Sequence, residues 1–405
     1  MGAGHSHSHS HESGPSWKDL SGDGVFRSVL AFIQAVAVVT LIGVMMLWPD
    51  GQGQDEAKVQ ATEIGLGAER LSAKVEKIED NECSFSDPAN PQNCREISFI
   101  LDEGPEAGAL IILPEFNVDQ QKAPPISVGD TAILGFQPST NTYFYADQER
   151  RLPLVALTVL FALVVMALGR FRGVLALVGM AFTVAVLVVF VAPSVLDGND
   201  PLLVSLAAAS IIAFVSLYLS HGFSPTTTVA LAGTLGSLLL TFAISWVFFE
   251  LANFTGLATE EGLTIPLIAS DINLSSLLLG GAMLGALGAL DDVTVTQVAA
   301  VSEVRRQSPK ISTGDLVASG IRVGREHIAS TVNTLLLAYA GASMPILLLF
   351  AVSNQSLGMV ANSEVVAVEI VRTLCGSIGL VAAVPLTTFL AAVISGRGKL
   401  GSEAS

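Results

Sequence analysis

Long unbroken apolar runs, separated by short polar loops, dominate this chain. Eight of them, at 25–48, 152–169, 173–192, 201–220, 225–251, 274–302, 328–352 and 366–395, reach the roughly 17 residues or more that a helix needs to cross a bilayer. Between the first run and the second the pattern changes. Over 55–148, short stretches alternate apolar with polar residues: AKVEKIED, REISFILDE, GALIILPEF, DTAILGFQP and NTYFYADQ. The turn-forming segments DPANPQN, GPEAG and APPISVGD separate them. A period of two is the signature of half-buried strands, so five or six strands are predicted here. The ISVGDTAIL turn-into-strand points to a small barrel of the OB type. The expected fold class is an α-helical polytopic membrane protein of about eight transmembrane helices, with an inserted extracytoplasmic, OB-like, all-β domain.

The same pattern sets the domain limits. Residues 1–24 read as a disordered, His/Ser-rich cytoplasmic tail. Residues 25–48 read as a transmembrane signal anchor. It stays uncleaved because no small-x-small site follows MMLWPDG, and Trp48 sits where an interfacial anchor belongs. The β domain spans 55–148, a seven-helix membrane domain spans 152–396, and a cytoplasmic tail closes the chain at 397–405. No internal repeat is apparent.

Composition and charge narrow the class further. The chain is 51% hydrophobic and only 14% charged, with a mean hydropathy of +0.61, whereas soluble chains carry about 25% charge. The net charge of −16 excludes nucleic acid as a partner, because phosphate binding needs a basic face. Between Asp50 and Glu149 there are 19 acidic against 6 basic residues, a balance of −13. The acidity is thus concentrated around the β domain. With the N-terminus in the cytoplasm, the β domain lies outside. Every later loop Lys or Arg, in GRFRG, in the Arg305–Arg325 region and in SGRGKL, then falls inside, as the positive-inside rule asks. Arg150 and Arg151 are the exception. A multi-pass protein of the bacterial plasma membrane with both termini cytoplasmic is expected. The lipid bilayer is its first partner, and a second copy or an envelope protein docking on 55–148 is the other partnership the layout offers.

Two candidate sites lie outside the apolar runs. Cys83 and Cys94 sit eleven residues apart in the extracytoplasmic segment, which favours a disulfide; two free thiols are the alternative. Cys375, inside an apolar run, reads as a small buried residue. His5, His7, His9 and His11 alternate with serine in the N-terminal tail. Such a tract holds zinc or nickel loosely, but it lacks the fixed spacing of a structural site, so a solvated tail with incidental affinity explains it as well.

The apolar runs themselves contain the sharper candidates. GALGALDDVTVTQVAAVSEVRR places Asp291 and Asp292 in the inner half of the sixth span. A charge at the centre of a membrane helix costs about 2.5–3.5 kcal/mol, and two neighbouring carboxylates repel. A proton, a monovalent or divalent cation, or an arginine would relieve them. Thr294, Thr296 and Gln297 add oxygen ligands of the kind hard cations prefer. Gly280, Gly281, Gly285 and Gly288 offer a face for close helix approach. The competing reading puts the acids at the cytoplasmic mouth, capping an interfacial helix. In the next span, GREHIASTVNTLLLAYAGASMP carries Glu326 and His327 near the inner interface, with Asn333 and Thr334 about two turns deeper, at the depth of the Asp pair. An inter-helix hydrogen bond is the plainer role for Asn333. In the last span, Glu369 and Arg372 are three apart on one face, as a structural salt bridge or an outer gate. His221, in YLSHGFSP, reads as a helix C-terminal cation.

Three segments carry a resemblance: GGAMLGALGALDDVTVTQVAAVSEVR, GREHIASTVNTLLLAYAGASMP and EIVRTLCGSIGLVAAVPLTT. Together they resemble the YibE/F-like family of bacterial membrane proteins over about 150–396. The Asp-Asp-Val-x-Val-Thr-Gln and Arg-Glu-His-Ile-x-Ser-x-x-Asn-Thr segments are the most specific and are intact. The resemblance implies a polytopic inner-membrane protein and a transport role, and it names no substrate. The His-rich start is foreign to that pattern.

Three functions compete on this evidence. The first is a secondary transporter or permeation protein with an intramembrane Asp-Asp site for a proton or cation. The second is a membrane scaffold or envelope-assembly factor whose acidic outer domain binds a partner. The third is an intramembrane hydrolase, since GALDD distantly resembles the Gly-x-Gly-Asp of intramembrane aspartyl proteases; the second acid it needs has no counterpart at a matching depth. No Walker, Gly-x-Ser-x-Gly or His-Glu-x-x-His motif occurs, so no enzyme is expected.

Overall fold

A computed structural model describes Trp17 and residues 23–86, 92–113, 116–117, 124–138, 140–353 and 355–397. The His tract and the last eight residues lie outside them. The chain forms two compact units, one from residues 54–170 and one from the preceding residues together with 171 onward.

The 54–170 unit is built on an antiparallel sheet. Its strands are β1 (Glu69–Glu82), β2 (Asn93–Leu101), β3 (Leu110–Ile112), β4 (Phe116–Asn117), β5 (Thr131–Gln137) and β6 (Thr142–Gln148), in the order β3-β2-β1-β5-β6 with β4 also beside β2. The alternation read from the sequence is what fills the core. Leu71, Ala73 and Val75 of β1, Ile97, Phe99 and Leu101 of β2, and Ala132 and Leu134 of β5 all point to one face and are buried. The OB-like barrel is not found among the described strands. Their order runs from β3 to β6, and no described pairing joins those two edges.

Cys83 and Cys94 form a disulfide, with Cα atoms 4.8 Å apart, at the far end of the β1–β2 pair. By the loop-entropy argument a bridge of this span stabilises by roughly 2–3 kcal/mol. Reduction, or Cys83→Ser, is therefore expected to lower the first thermal transition of the full chain while leaving the helical transition unchanged; calorimetry with and without reductant checks it. Beside the bridge, the cross-strand partners Asp80 and Arg95 form a fork of two hydrogen bonds of 2.6 and 2.8 Å. The Arg95 hydrogen bond holds the Asp80 carboxyl below its ordinary range. A depressed carboxyl pKa contributes stability above the unfolded-state value and loses it as pH falls through the folded-state value. Amide exchange at this end of β1 and β2, followed by mass spectrometry, is expected to quicken only below the ordinary carboxylate range, and modestly, since the pair is solvent-exposed.

The other unit is helical. It contains α1 (Gly24–Met46), the start of α2 (Gln52–Glu63) and the later part of α3 (Arg151–Ala185). From α3 the chain passes through a π-helical turn at Val186–Val191 into α4 (Ala192–Leu196). There follow α5 (Pro201–His221), α6 (Pro225–Ala252), α7 (Glu260–Ile268), α8 (Leu274–Gln307), α9 (Thr313–Ala342), α10 (Met344–Val352), α11 (Leu357–Asn362) and α12 (Glu364–Arg397). Helix starts follow capping chemistry. Asp200, Ser224, Asn273 and Ser312 each accept a hydrogen bond from a backbone N–H of the first turn, and Pro201 and Pro225 occupy the first helical position. His221 closes α5 ahead of Gly222.

Among the described residues, six helices are long and apolar enough to cross a membrane: α1, the run Arg151–Leu196, α5, α6, α8 and α12. The pair α9 and α10, bent by 64° across Ser343, makes a seventh if it counts as one span. Pro345 in the first turn of α10 suits that break. Where two spans were expected at 152–169 and 173–192, the helical run is continuous except at Arg170, whose φ of 52° and ψ of −133° leave the helical region.

The centre of the bundle is α6, α8 and α12. Here small residues decide how closely helices approach: Gly233 lies against Thr387, Gly379 against Thr241 and Gly280 against Ser205, with no room for a side chain at any of the three. The cysteine in α12, Cys375, is buried in the same region.

Candidate intramembrane carboxylate site

α8 is 34 residues long, and Asp291 lies 17 residues from Leu274 and 16 from Gln307, at its middle. Adjacent residues on a helix diverge by about 100°, and the two acids accordingly face different surroundings. Asp291 lines a cavity of about 200 Å³ with Thr183 and Leu187 from α3 and its π-helical turn, Ile212, Ala213 and Ser216 from α5, and Leu284, Leu287 and Gly288 from α8. Its Oδ1 is buried and has no hydrogen-bond partner among the described residues. A side chain at Gly288, one turn away, would meet nothing within 4 Å, so this glycine leaves space beside the carboxylate. Among the described residues, the wall holds no acid other than Asp291. π-Helical turns concentrate at functional sites because the extra residue widens the helix locally, and Leu187 belongs to one.

Asp292 points elsewhere. Its side chain is 66% exposed, and its Oδ2 lies 3.7 Å from His327 Nε2, which is buried and makes no hydrogen bond. Glu326 is exposed.

The neighbouring candidates serve the packing of α8. Thr294 is fully buried, shares a 2.6 Å hydrogen bond with Thr234 of α6, and donates to the Asp291 carbonyl oxygen. Thr296 is exposed and donates to the carbonyl oxygens of Asp292 and Val293. Gln297 is buried, and its Nε2 donates to the Gly320 carbonyl of α9 at 2.7 Å and to Thr388 Oγ1 of α12 at 2.6 Å. It ties three helices together. Asn333 and Thr334 are both exposed, and Thr334 donates to the Ser330 carbonyl of its own helix. Among the described residues no hydrogen bond joins either of them to the acids. Of the four glycines, Gly280 and Gly285 face neighbours, Ser205 and the Tyr339 hydroxyl, while Gly281 and Gly288 are open.

Glu369 and Arg372 form the expected pair, at 2.8 Å, and the guanidinium lies 5.9 Å from the centre of the Tyr339 ring. Sequence reasoning missed Thr183 and Ser216. A lone hydroxyl in an apolar span ordinarily bonds its own backbone, as Thr183 does to Gly179, so only the fold could single them out.

Long apolar helices that pack through glycine and hydroxyl residues, with a carboxylate midway along one of them facing a cavity between helices, define a multi-pass integral membrane protein. The family model described as YibE/F-like protein matches residues 157–397, more than half of the chain, and the chain belongs to that family. No curated protein and no solved structure matches it.

Proposed function

We propose that the chain is a secondary transporter or permeation protein whose coupling proton or monovalent cation binds at Asp291. The observation that carries this reading is the Asp291 carboxylate: midway along a helix of spanning length, with one oxygen buried and unbonded among the described residues, at the edge of a mostly aliphatic cavity whose wall also includes Thr183 and Ser216. Such a group is costly in a membrane and marks ion pathways and proton relays. One carboxylate with the hydroxyls of Thr183 and Ser216 offers a single negative charge among neutral oxygens, which balances a proton or a monovalent cation. Divalent ions usually recruit more carboxylates. A proton or cation taken up from one side and released to the other makes and breaks no covalent bond, so the cycle needs no cofactor.

In this reading the run Arg151–Leu196 crosses twice. At 46 residues and about 1.5 Å per residue it is near 70 Å long, over twice the ~30 Å hydrocarbon core, and Arg170 divides it. With α9 and α10 as one span the chain then crosses eight times. The β domain lies outside the bacterial plasma membrane and both termini inside, as the loop charges favour. The test is flux in proteoliposomes, with a panel of cations and with or without a pH gradient, comparing wild type with Asp291→Asn and Gly288→Leu. Both variants are expected to lose cation- or proton-dependent flux, the second by filling the cavity. Flux unchanged in both, with protein folded, would overturn the proposal.

One observation favours the scaffold reading. β3 lies at a sheet edge with Leu110 and Ile112 57% and 55% exposed, a surface suited to pairing with a partner's strand. Capture of an envelope protein by the full chain, lost in Leu110→Lys with Ile112→Lys, would support it.

A further inference from the structure

Where α9 meets α10 and α12 begins, two cavities share a wall. The larger, about 410 Å³, carries Glu364, Glu369, Arg372 and Tyr339. The smaller, about 200 Å³, is lined mainly by aliphatic side chains, among them Leu336, Leu347, Ile370 and Leu374. Tyr339 and Glu369 line both.

The charges of the larger cavity are unevenly met. Arg372 Nη1 donates to Glu369 at 2.8 Å, yet its Nε is buried with no partner among the described residues, and a buried donor left unmet is unfavourable. Glu364 accepts from the backbone N–H of Thr255 and of Gly256 and from the Thr255 hydroxyl. Two carboxylates and one guanidinium thus line the same cavity. A purely anionic head would meet the repulsion of both acids, and a purely cationic one would leave the Arg372 Nε–H unanswered. A head of both signs satisfies each: its acidic group accepts from Arg372 Nε, and its ammonium lies beside Glu369 and Glu364.

The smaller cavity shows where the rest of the ligand goes. Leu336, Ile370 and Leu374 are 51%, 40% and 57% exposed, so it opens on an aliphatic outer surface of spanning helices, which faces acyl chains. Tyrosine at such a position suits the head-group level. We propose that these paired cavities bind a zwitterionic phospholipid with a primary ammonium head, its phosphate on Arg372, its ammonium beside Glu369 and Glu364, and one acyl chain in the aliphatic cavity. The site rests on the bundle spanning a membrane and is independent of Asp291.

Native mass spectrometry of the full chain in detergent tests it. The probes are phosphatidylethanolamine and phosphatidylglycerol of identical acyl chains, and leucine as a soluble zwitterion. Wild type is expected to retain one phosphatidylethanolamine about tenfold more tightly than phosphatidylglycerol, a difference of one decade in Kd, and to ignore leucine. Glu369→Gln with Arg372→Gln should abolish the preference between head groups. Ile370→Trp, which fills the aliphatic cavity, should weaken both lipids; its melting temperature and that of Asp291→Asn, with its lipid retention unchanged, control for folding. Equal retention of the two lipids by wild type, leucine displacing lipid, or wild-type retention in a folded Ile370→Trp protein would each overturn the proposal.

Discussion

Asp291→Asn is expected to cut ion-dependent flux by roughly 10- to 100-fold, the equivalent of the 1.5–3 kcal/mol carried by an interaction with a charged group. Asp292→Asn, one residue on, is expected to change it no more than a few-fold. The difference comes from where the helix aims them. The Asp291 carboxylate faces a cavity with an oxygen that no described residue satisfies. Asp292 is mostly exposed, with His327 as a distant neighbour. Stability should move the other way from flux. Asparagine at 291 removes a poorly compensated buried charge, so the melting temperature of this variant should hold or rise. A parallel measurement of flux and thermal unfolding separates loss of function from loss of fold. Equal losses in both Asn variants would mean that the acids act as one pair, against the geometry.

Gln297→Leu is expected to be the most destabilising change among the polar residues of α8, by about 2–4 kcal/mol. It deletes two donated hydrogen bonds and leaves the Gly320 carbonyl and Thr388 Oγ1 without their partner. The glycine-lined contact with α9 adds to the cost. Gly324 lies against the Gln297 side chain, where a branched leucine does not fit as well. Thr296→Val, at the adjacent but exposed position, should stay within about 0.5 kcal/mol. Thermal unfolding in detergent by circular dichroism checks both. A Gln297→Leu protein that melts like wild type while losing flux would move this residue from packing to the ion path.

How far these assignments could be read from the sequence depends on the periodicity involved. The strands of the 54–170 unit follow from alternation alone, because one buried face forces it, and the pairing of Cys83 with Cys94 follows from the short loop between them. The α8 acids were visible as an anomaly, since carboxylates stand out in an apolar run. Their division between two environments was not. Neighbours in sequence diverge around a helix, and only the packing of α3, α5 and α8 decides which of the two meets a cavity. The same limit applies to Asn333 and Thr334: an expectation of equal depth along two helices says nothing about facing. Gln297 reads as a ligand because its oxygen lies within two turns of the acids, yet an amide buried among three helices serves equally as a clamp. The GRFRG segment read as a loop between two spans because of its charge and glycines, whereas the helical run continues except at Arg170. Barrel closure could not be judged from alternation, because closure depends on whether the β3 and β6 edges pair, which alternation does not show.

Carbodiimide labelling tests the central claim most directly, because the reagent modifies protonated carboxyls in apolar surroundings. The full chain in liposomes would be labelled across pH and cation concentration, and the α8 peptide mapped by mass spectrometry. The account expects modification at Asp291 in preference to Asp292, falling as pH rises and, if a cation shares the site, falling again as that cation is added. No labelling of Asp291 at any pH, or labelling indifferent to both pH and cations, would contradict it.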